Sequence, residues 1–140
     1  MKIIRTTYRE SKQAIREIRD QVFVQELSIP QELEEDQRDF DCIHVVVWKD
    51  KQPVGTGRID IAKEGKLGRV AVKKSLRGRG IGKQIMRELE LIAKEYGLPE
   101  VWFHAQKNAV TFYEPLGYNK KGSEFLEADI IHQLMEKKIQ

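Results

Sequence analysis

The sequence has little of what extracellular, membrane or metal-binding proteins depend on. Its 140 residues include one cysteine, Cys42, so no disulfide can form within the chain. No apolar run approaches membrane-spanning length, and residues 1–5 lack the apolar stretch of a signal peptide. The three histidines are dispersed and give little support to a metal site. We therefore expect a soluble, cytoplasmic protein without a metal ion, forming one domain over residues 1–140.

What the chain does have is charge, and it is unevenly placed. Between residues 63 and 87 nine basic residues stand against one acid, Glu64, whereas residues 30–41 hold six acids against one base, Arg38. The basic block suits a multiply phosphorylated ligand and the acidic block a cationic one. The alternative is that both blocks are solvated faces. We expect no nucleic-acid partner, because no aromatic residues alternate with the basic ones.

The most informative segment is Arg77-Gly78-Arg79-Gly80-Ile81-Gly82. It follows the strand-like run 67–72 and precedes a long amphipathic segment. Its glycines let the backbone turn sharply and expose amide N–H groups. A helix that begins there adds unpaired amides and the positive end of its dipole. The segment therefore predicts a site for a pyrophosphate group.

Two common nucleotide-binding patterns do not fit this segment. The dinucleotide fingerprint G-x-G-x-x-G needs glycine at position 83 or 85, where Lys83 and Ile85 stand. The triphosphate loop G-x-x-x-x-G-K-[ST] needs glycine in place of Arg77 and a hydroxyl residue in place of Gln84. A phosphate-bearing ligand of another kind is expected.

Hydrophobic periodicity predicts alternating strands and helices. The expected strands cover residues 2–7, 43–48, 54–61, 67–73 and 101–103, and the expected helices are one capped by Ser11, one from Ile81 to Gly97 and one over 109–114. The C-terminal segment is ambiguous. Its spacing alone favours a helix, with a face formed by Leu126, Ile130, Leu134 and Lys138.

The order strand, glycine loop, long helix, strand, short helix and aromatic turn resembles the GNAT superfamily of acetyl-CoA-dependent N-acetyltransferases. Residues 77–82 match its pyrophosphate motif [RQ]-x-x-G-x-[GA], and Ala109, Phe112-Tyr113 and Gly117-Tyr118 match its second motif. Residues 22–44 and 125–135 also resemble a small bacterial subgroup, many of whose members have no assigned substrate. The likeness therefore covers nearly the whole chain.

The resemblance implies a fold. It is a mixed α/β fold with a central, mostly antiparallel twisted sheet of about six or seven strands, flanked by about four helices. Its two middle strands splay apart to admit the pantetheine arm of the cofactor. The C-terminal segment is a strand in that family, and we let this implication override the helical pattern.

The resemblance also implies acetyl-CoA as co-substrate. The backbone amides of residues 77–82, with Arg77 and Arg79, would hold the diphosphate, and a strand amide near Ala71 would bind the thioester carbonyl. Gln106 stands where most members have an asparagine that binds the pantetheine arm. The expected cofactor-binding residues are Val70, Ala71, Val72, Arg77, Gly78, Arg79, Gly80, Ile81, Gly82, Lys83, Gln106 and Tyr113.

The implied reaction is direct attack of a primary amine on the acetyl thioester in a ternary complex. Tyr113 occupies the position of the general acid that protonates the leaving thiolate. The general base stays open, and the candidates are Glu26, Asp36, His44 and His104. The acidic block would select a positively charged amine. The alternative is a non-catalytic acyl-CoA-binding sensor or regulatory module, and a homodimer is a further expectation because dimers are frequent in the family.

Overall fold

The structure is a computed structural model that describes residues 1–29 and 36–140. Its centre is one seven-stranded sheet of order β1-β2-β3-β4-β5-β7-β6. The strands are β1 Lys2–Thr6, β2 Ile43–Lys49, β3 Gln52–Asp60, β4 Lys66–Val72, β5 Glu100–Gln106, β6 Asn119–Glu127 and β7 Ile130–Lys138. Every neighbouring pair is antiparallel except β4 and β5, which are parallel. The predicted mixed α/β architecture is confirmed.

Three α-helices are present in the described part of the chain, against the four or so expected. They are α1 Tyr8–Arg19, α2 Ile81–Glu95 and α3 Val110–Tyr113. A π-helical segment, Asp20–Glu26, extends α1, and short 3-10 turns cover Gln37–Asp41, Ile61–Lys63, Lys74–Leu76, Lys107–Ala109 and Glu114–Leu116. No described helix is both long and apolar enough to span a bilayer.

The predicted N-cap of α1 is wrong by one turn. Thr7, not Ser11, caps the helix, and its Oγ1 accepts a hydrogen bond from the Glu10 amide at 3.1 Å. Ser11 lies inside α1 at a kink, with φ −119° and ψ 21°. Both residues are good N-caps, so sequence alone could not separate them.

Each face of the sheet carries a hydrophobic core. On one face α2 buries Ile81, Ile85, Leu89 and Ile92 against the strands, and on the other α1 buries Ile15 and Ile18. The close approach of α2 depends on glycines in β3. A Cβ at Gly57 would lie 2.8 Å from Ile85 Cγ2 and 3.1 Å from Leu89 Cδ1. The glycine therefore lets α2 sit directly over the strand.

The C-terminal segment forms a hairpin of two strands, so the helical reading of its spacing is wrong. The chain turns at Ala128 and Asp129, whose φ values of 51° and 62° are left-handed. Strand β7 lies between β5 and β6 and pairs with both. The backbone hydrogen bonds that β7 makes along both of its edges outweigh the local preference of this segment for a helix.

The middle of the sheet opens as the sequence resemblance implied. Strands β4 and β5 pair at one register position only, Lys66 with Trp102, and a hydrogen bond from the Trp102 amide to the Gly65 carbonyl (3.2 Å) marks the same point. Beyond this position the two strands run on towards their carboxyl ends without pairing with each other. A gap therefore widens between them, directly beside the glycine loop that follows β4.

We predict that Gly57→Ala lowers the free energy of unfolding by about 1–3 kcal/mol, because the new Cβ overpacks Ile85 and Leu89. Urea denaturation followed by circular dichroism measures this. Gly68→Ala on β4 is the matched control, since the nearest atom to its Cβ lies 3.9 Å away. Equal stability of the two variants would contradict the packing argument.

Candidate active site

A cleft of about 860 Å³ occupies the gap between β4 and β5. It is lined by the glycine loop and the start of α2, by α3 and the π-helical segment, and by the turn between β6 and β7. The predicted cofactor residues that line it are Val70, Ala71, Val72, Arg77, Gly78, Gly80, Ile81, Gly82, Gln106 and Tyr113. Arg79 and Lys83 do not line it and are exposed.

A second, smaller groove of about 320 Å³ lies between β1 and α2, lined among others by Ile3, Arg87 and Leu91. It contains none of the predicted site residues. The large cleft is therefore where the sequence motifs converge.

The glycine loop has the backbone geometry that an anion site needs. Gly78 and Gly80 have φ of 80° and 81°, and no atom lies within 4 Å of a Cβ built at either. Left-handed backbone, not lack of space, therefore requires glycine at these two positions. Gly80 is the N-cap of α2 and no side chain caps the helix, whose first amides have no intrahelical partner. Those amides and the helix dipole are available to a diphosphate.

Arg77 fastens this loop to its surroundings. Its Nε donates to the Val72 carbonyl at 2.9 Å, and its two terminal nitrogens donate to the Glu26 carboxylate at 2.7 Å each. This pair raises the pKa of Arg77 and lowers the pKa of Glu26. Because the guanidinium is held by the protein, Arg77 orients the loop, and the loop amides are the groups left to face a diphosphate.

A β-bulge in β4 is a feature that sequence reasoning missed. Thr56 pairs with Ala71 and Arg58 with Gly68, so Arg69 and Val70 together stand opposite one residue of β3. Arg69 has φ 51°, a strained conformation for a long side chain. Both residues line the cleft, and the described register between β4 and β5 ends before them, at Lys66. The bulge thus interrupts the strand ladder beside the cleft, where a thioester carbonyl would need a donor.

Tyr113 projects from the short helix α3 into the same cleft. Its ring packs edge-on against Phe103 and Phe112, with centroids 4.5 and 5.0 Å away. Burial raises the pKa of its phenol to about 12. In the described part of the chain its hydroxyl has no hydrogen-bond partner, so at neutral pH it is a protonated donor available to a ligand.

The two carboxylates among the predicted base candidates are both bound by arginines. Glu26 pairs with Arg77, as described above. Asp36 lies at the cleft wall, where burial opposes ionisation but hydrogen bonds and charge from Arg58, with help from Arg69, lower its pKa to about 2. Carboxylates held so tightly by guanidinium groups are weak bases.

The two histidine candidates differ in their position relative to the cleft. His44 is fully buried outside the cleft, its Nε2 lies 2.8 Å from the Asp39 carbonyl, and burial lowers its pKa to about 4. His104 lines the cleft on β5. Glu127 and His132, which the sequence did not single out as chemical groups, line the cleft beside it.

Part of the acidic block forms a buried ionic network, so the solvated reading is wrong for Asp39. Its two oxygens accept from Arg19 at 2.9 Å and from Arg58 at 2.7 Å, and Asp39 and Arg19 are fully buried. Arg58 also binds Asp36 at 2.7 Å. The network joins α1, β3 and the turn before β2 behind the cleft wall. Glu32, Glu34 and Glu35 lie outside the described residues.

No cluster of three or more histidine, cysteine, aspartate or glutamate residues with metal-holding geometry occurs in residues 1–29 and 36–140.

Residues 6–139 match the family model of the acetyltransferase (GNAT) domain. The chain belongs to the GNAT acetyltransferase family. A Bacillus subtilis protein named as an acetyltransferase is 42% identical over 125 residues, covering 86% of this chain and 85% of that protein. The uncharacterized N-acetyltransferase YjcF of the same species is 40% identical over 122 residues, covering 86% and 87%.

The GNAT fold is equally clear in solved structures. A crystal structure described as an N-acetyltransferase from Lactobacillus plantarum has a TM-score of 0.90 and 29% identity, and the match covers 99% of this chain and 98% of that one. The family and the enzyme class that the motifs predicted are therefore confirmed. The roles assigned to individual residues stay predictions.

We predict that Asp39→Asn destabilises the fold by about 3–5 kcal/mol, because it removes the carboxylate charge between two buried guanidinium groups. Chemical denaturation at pH 7 measures the loss. Asp41→Asn, whose side chain is 65% exposed, is the control and should change stability by less than about 0.5 kcal/mol. Similar losses in both variants would show that Asp39 is not central to the network.

We also predict an acid limb of stability from Asp36. Its folded pKa of about 2 lies below the ordinary 3.8, so its contribution is complete above about pH 4 and is lost as the pH falls towards 2. Denaturation midpoints measured between pH 2 and pH 6 should fall less steeply for Asp36→Asn than for the wild type. Parallel curves would contradict this.

Proposed function

We propose that this GNAT protein transfers an acetyl group from acetyl-CoA to a primary amine, by direct attack in a ternary complex. The observation that carries the proposal is the cleft between β4 and β5, which connects the glycine loop, the β4 bulge and Tyr113 in one continuous space. The whole chain would act as a single catalytic domain, and the cytoplasm is the compartment proposed for it.

Acetyl-CoA fits this space by its chemistry. The diphosphate would lie on the amides at the start of α2, the pantetheine arm would run between β4 and β5 past Gln106, and the acetyl group would reach Val70 and Ala71. Two solved proteins of the same fold support the choice of cofactor. A Bacillus anthracis structure (TM-score 0.61, 22% identity) is in complex with acetyl coenzyme A, and a Thermoplasma acidophilum N-acetyltransferase (0.72, 19%) is in complex with coenzyme A.

The reaction would proceed by addition and elimination at the thioester carbonyl. The amine nitrogen forms a bond to the carbonyl carbon, and an amide of the β4 bulge binds the oxygen that becomes negative. One such donor contributes about 2.7–4 kcal/mol to the transition state. The C–S bond then breaks, the amine nitrogen gives up one proton to a base, and the thiolate takes a proton from the Tyr113 hydroxyl, which its pKa of about 12 keeps protonated at neutral pH.

A non-catalytic acyl-CoA-binding module is the competing function. It is favoured by one observation, that Glu26 and Asp36 are both engaged by arginines. Turnover of any amine distinguishes the two functions, because the module would bind acetyl-CoA without releasing a free thiol.

The cofactor site is tested by thermal shift with acetyl-CoA. At a concentration one hundred times the Kd, the ligand should stabilise the protein by about 2.7 kcal/mol, whereas NAD and ATP should not. Gly80→Asp should abolish the shift, because it places a carboxylate at the diphosphate site. Gly97→Asp is the matched control, since Gly97 also has positive φ (77°) and open surroundings but lies beyond the other end of α2. No shift in the wild-type protein would overturn the proposal.

We predict that Tyr113→Phe lowers kcat by about 10²–10⁴-fold while leaving the Kd for acetyl-CoA unchanged, because it removes the proton donor and keeps the ring. The acceptors would be spermidine, cadaverine and Nα-acetyl-lysine, with acetylated product quantified by mass spectrometry. Tyr96→Phe, at an exposed tyrosine outside the cleft, should have no effect. Unchanged turnover in Tyr113→Phe would remove this residue from the mechanism.

A further inference from the structure

Three side chains from three different strands meet in the wall of the cleft. They are His104 of β5, Glu127 at the end of β6 and His132 of β7, and all three line the cleft. The topology brings them together, because β7 pairs with β5 on one edge and with β6 on the other. His104 lies 23 residues before Glu127 in the sequence, and the three residues carry no motif spacing.

The contact between His104 and Glu127 fixes the state of the histidine ring. His104 Nδ1 lies 3.1 Å from Glu127 Oε1. An ionised carboxylate can only accept, so Nδ1 carries the hydrogen and donates it. In the neutral ring Nε2 then holds the free lone pair, and among the described residues it has no hydrogen-bond partner. This is the arrangement of a histidine base oriented by a carboxylate.

His132 completes the group from the other side. Its Nδ1 donates to the Ile130 carbonyl at 2.7 Å, and its Nε2 lies 3.6 Å from Glu127 Oε2. The side chain is only 9% exposed. Glu127 therefore lies between two imidazoles, with one oxygen directed to each.

Aromatic packing holds the two rings in place. Phe125 stacks on His132 with centroids 6.0 Å apart and meets His104 edge-on at 4.8 Å. Trp102 covers another side of His104, with centroids 5.6 Å apart. Neighbours on both sides limit the rotation of the rings, which preserves the contacts to Glu127.

His104 also stands at the right level of the sheet. It comes two residues after Trp102, the last residue of β5 that pairs with β4. By strand geometry this is about 6–7 Å beyond the point where the strands part. The β4 bulge at Arg69 and Val70 begins three residues after the matching point, Lys66. The histidine thus lies close to the level of the amides proposed for the acetyl carbonyl.

We propose that His104 is the general base of the acetyl transfer, with Glu127 and His132 as its positioning residues. This inference rests on the proposed function. As the amine nitrogen bonds to the acetyl carbon, its proton passes to His104 Nε2, the C–S bond breaks and the thiolate takes the Tyr113 proton. The charge that forms on His104 is compensated by Glu127, whose other oxygen lies 3.6 Å from His132 Nε2. Glu26 and Asp36, both bound by arginines, have no such part.

His104→Ala tests the base directly. Its kcat with the acceptors named above should fall by about 10²–10⁴-fold, while the Kd for acetyl-CoA stays unchanged. Added imidazole should restore part of the acetylated product, measured by mass spectrometry and corrected for the enzyme-free reaction. His104→Asn, which retains a donor towards Glu127, serves as a second variant should the alanine variant unfold. Full activity of the variants, or a loss that imidazole does not restore, would overturn the assignment.

Glu127→Gln tests the positioning role through coupling. It should lower kcat in the wild-type background but have no further effect in the His104→Ala background, because it acts only through that ring. Glu124→Gln is the matched control, since it removes a charge from the same strand and lies outside the cleft lining. Additive losses in the double variant would contradict the positioning role of Glu127.

The outcomes also distinguish a failure of this inference from a failure of the proposed function on which it rests. If the wild-type protein binds acetyl-CoA but acetylates none of the amines, both the transfer activity and the base are rejected. If the wild type is active and His104→Ala is equally active, only the base assignment fails and the proposed function stands.

Discussion

The rest of the molecule depends on the early parting of two parallel strands. Strands β4 and β5 share one register position, at Lys66 and Trp102, and then diverge. The bulge at Arg69 bends β4 beyond that position. The glycines of β3 let α2 pack closely over the sheet beside the cleft. The resulting cleft costs strand hydrogen bonds that a continuous sheet would keep. Those freed amides and carbonyls are what a cofactor arm can use instead.

Much of the fold and of the cofactor side of the site could be predicted from local sequence. The glycine loop, the start of α2 at Ile81 and the short helix that ends at Tyr113 each depend on residues adjacent in the chain. The C-terminal hairpin was not readable from spacing, because its strands gain stability by pairing with β5 and with each other. The buried network around Asp39 was also missed, since a run of acids ordinarily indicates an exposed face and only tertiary structure brings Arg19 and Arg58 to it.

The residues proposed for proton transfer show the same division. Tyr113 was found through a motif, and its phenol packs among Phe103 and Phe112 as a helix-borne aromatic would. His104, Glu127 and His132 have no common spacing, and they meet only because β7 enters the sheet between two earlier strands. Glu26 and Asp36, in contrast, are paired with arginines, one at the glycine loop and the other at the cleft wall.

The cleft is also built from two successive stretches of the chain. Residues 1–95 supply the glycine loop and the bulged strand, while residues 100–138 supply Tyr113 and the histidine–carboxylate group, and β4 and β5 meet at a single pairing. Substitutions in the later part can therefore change the surroundings of the histidine–carboxylate group and leave the glycine loop intact. The two walls of the cleft can in this way vary separately in sequence, since the sheet joins them at one paired position.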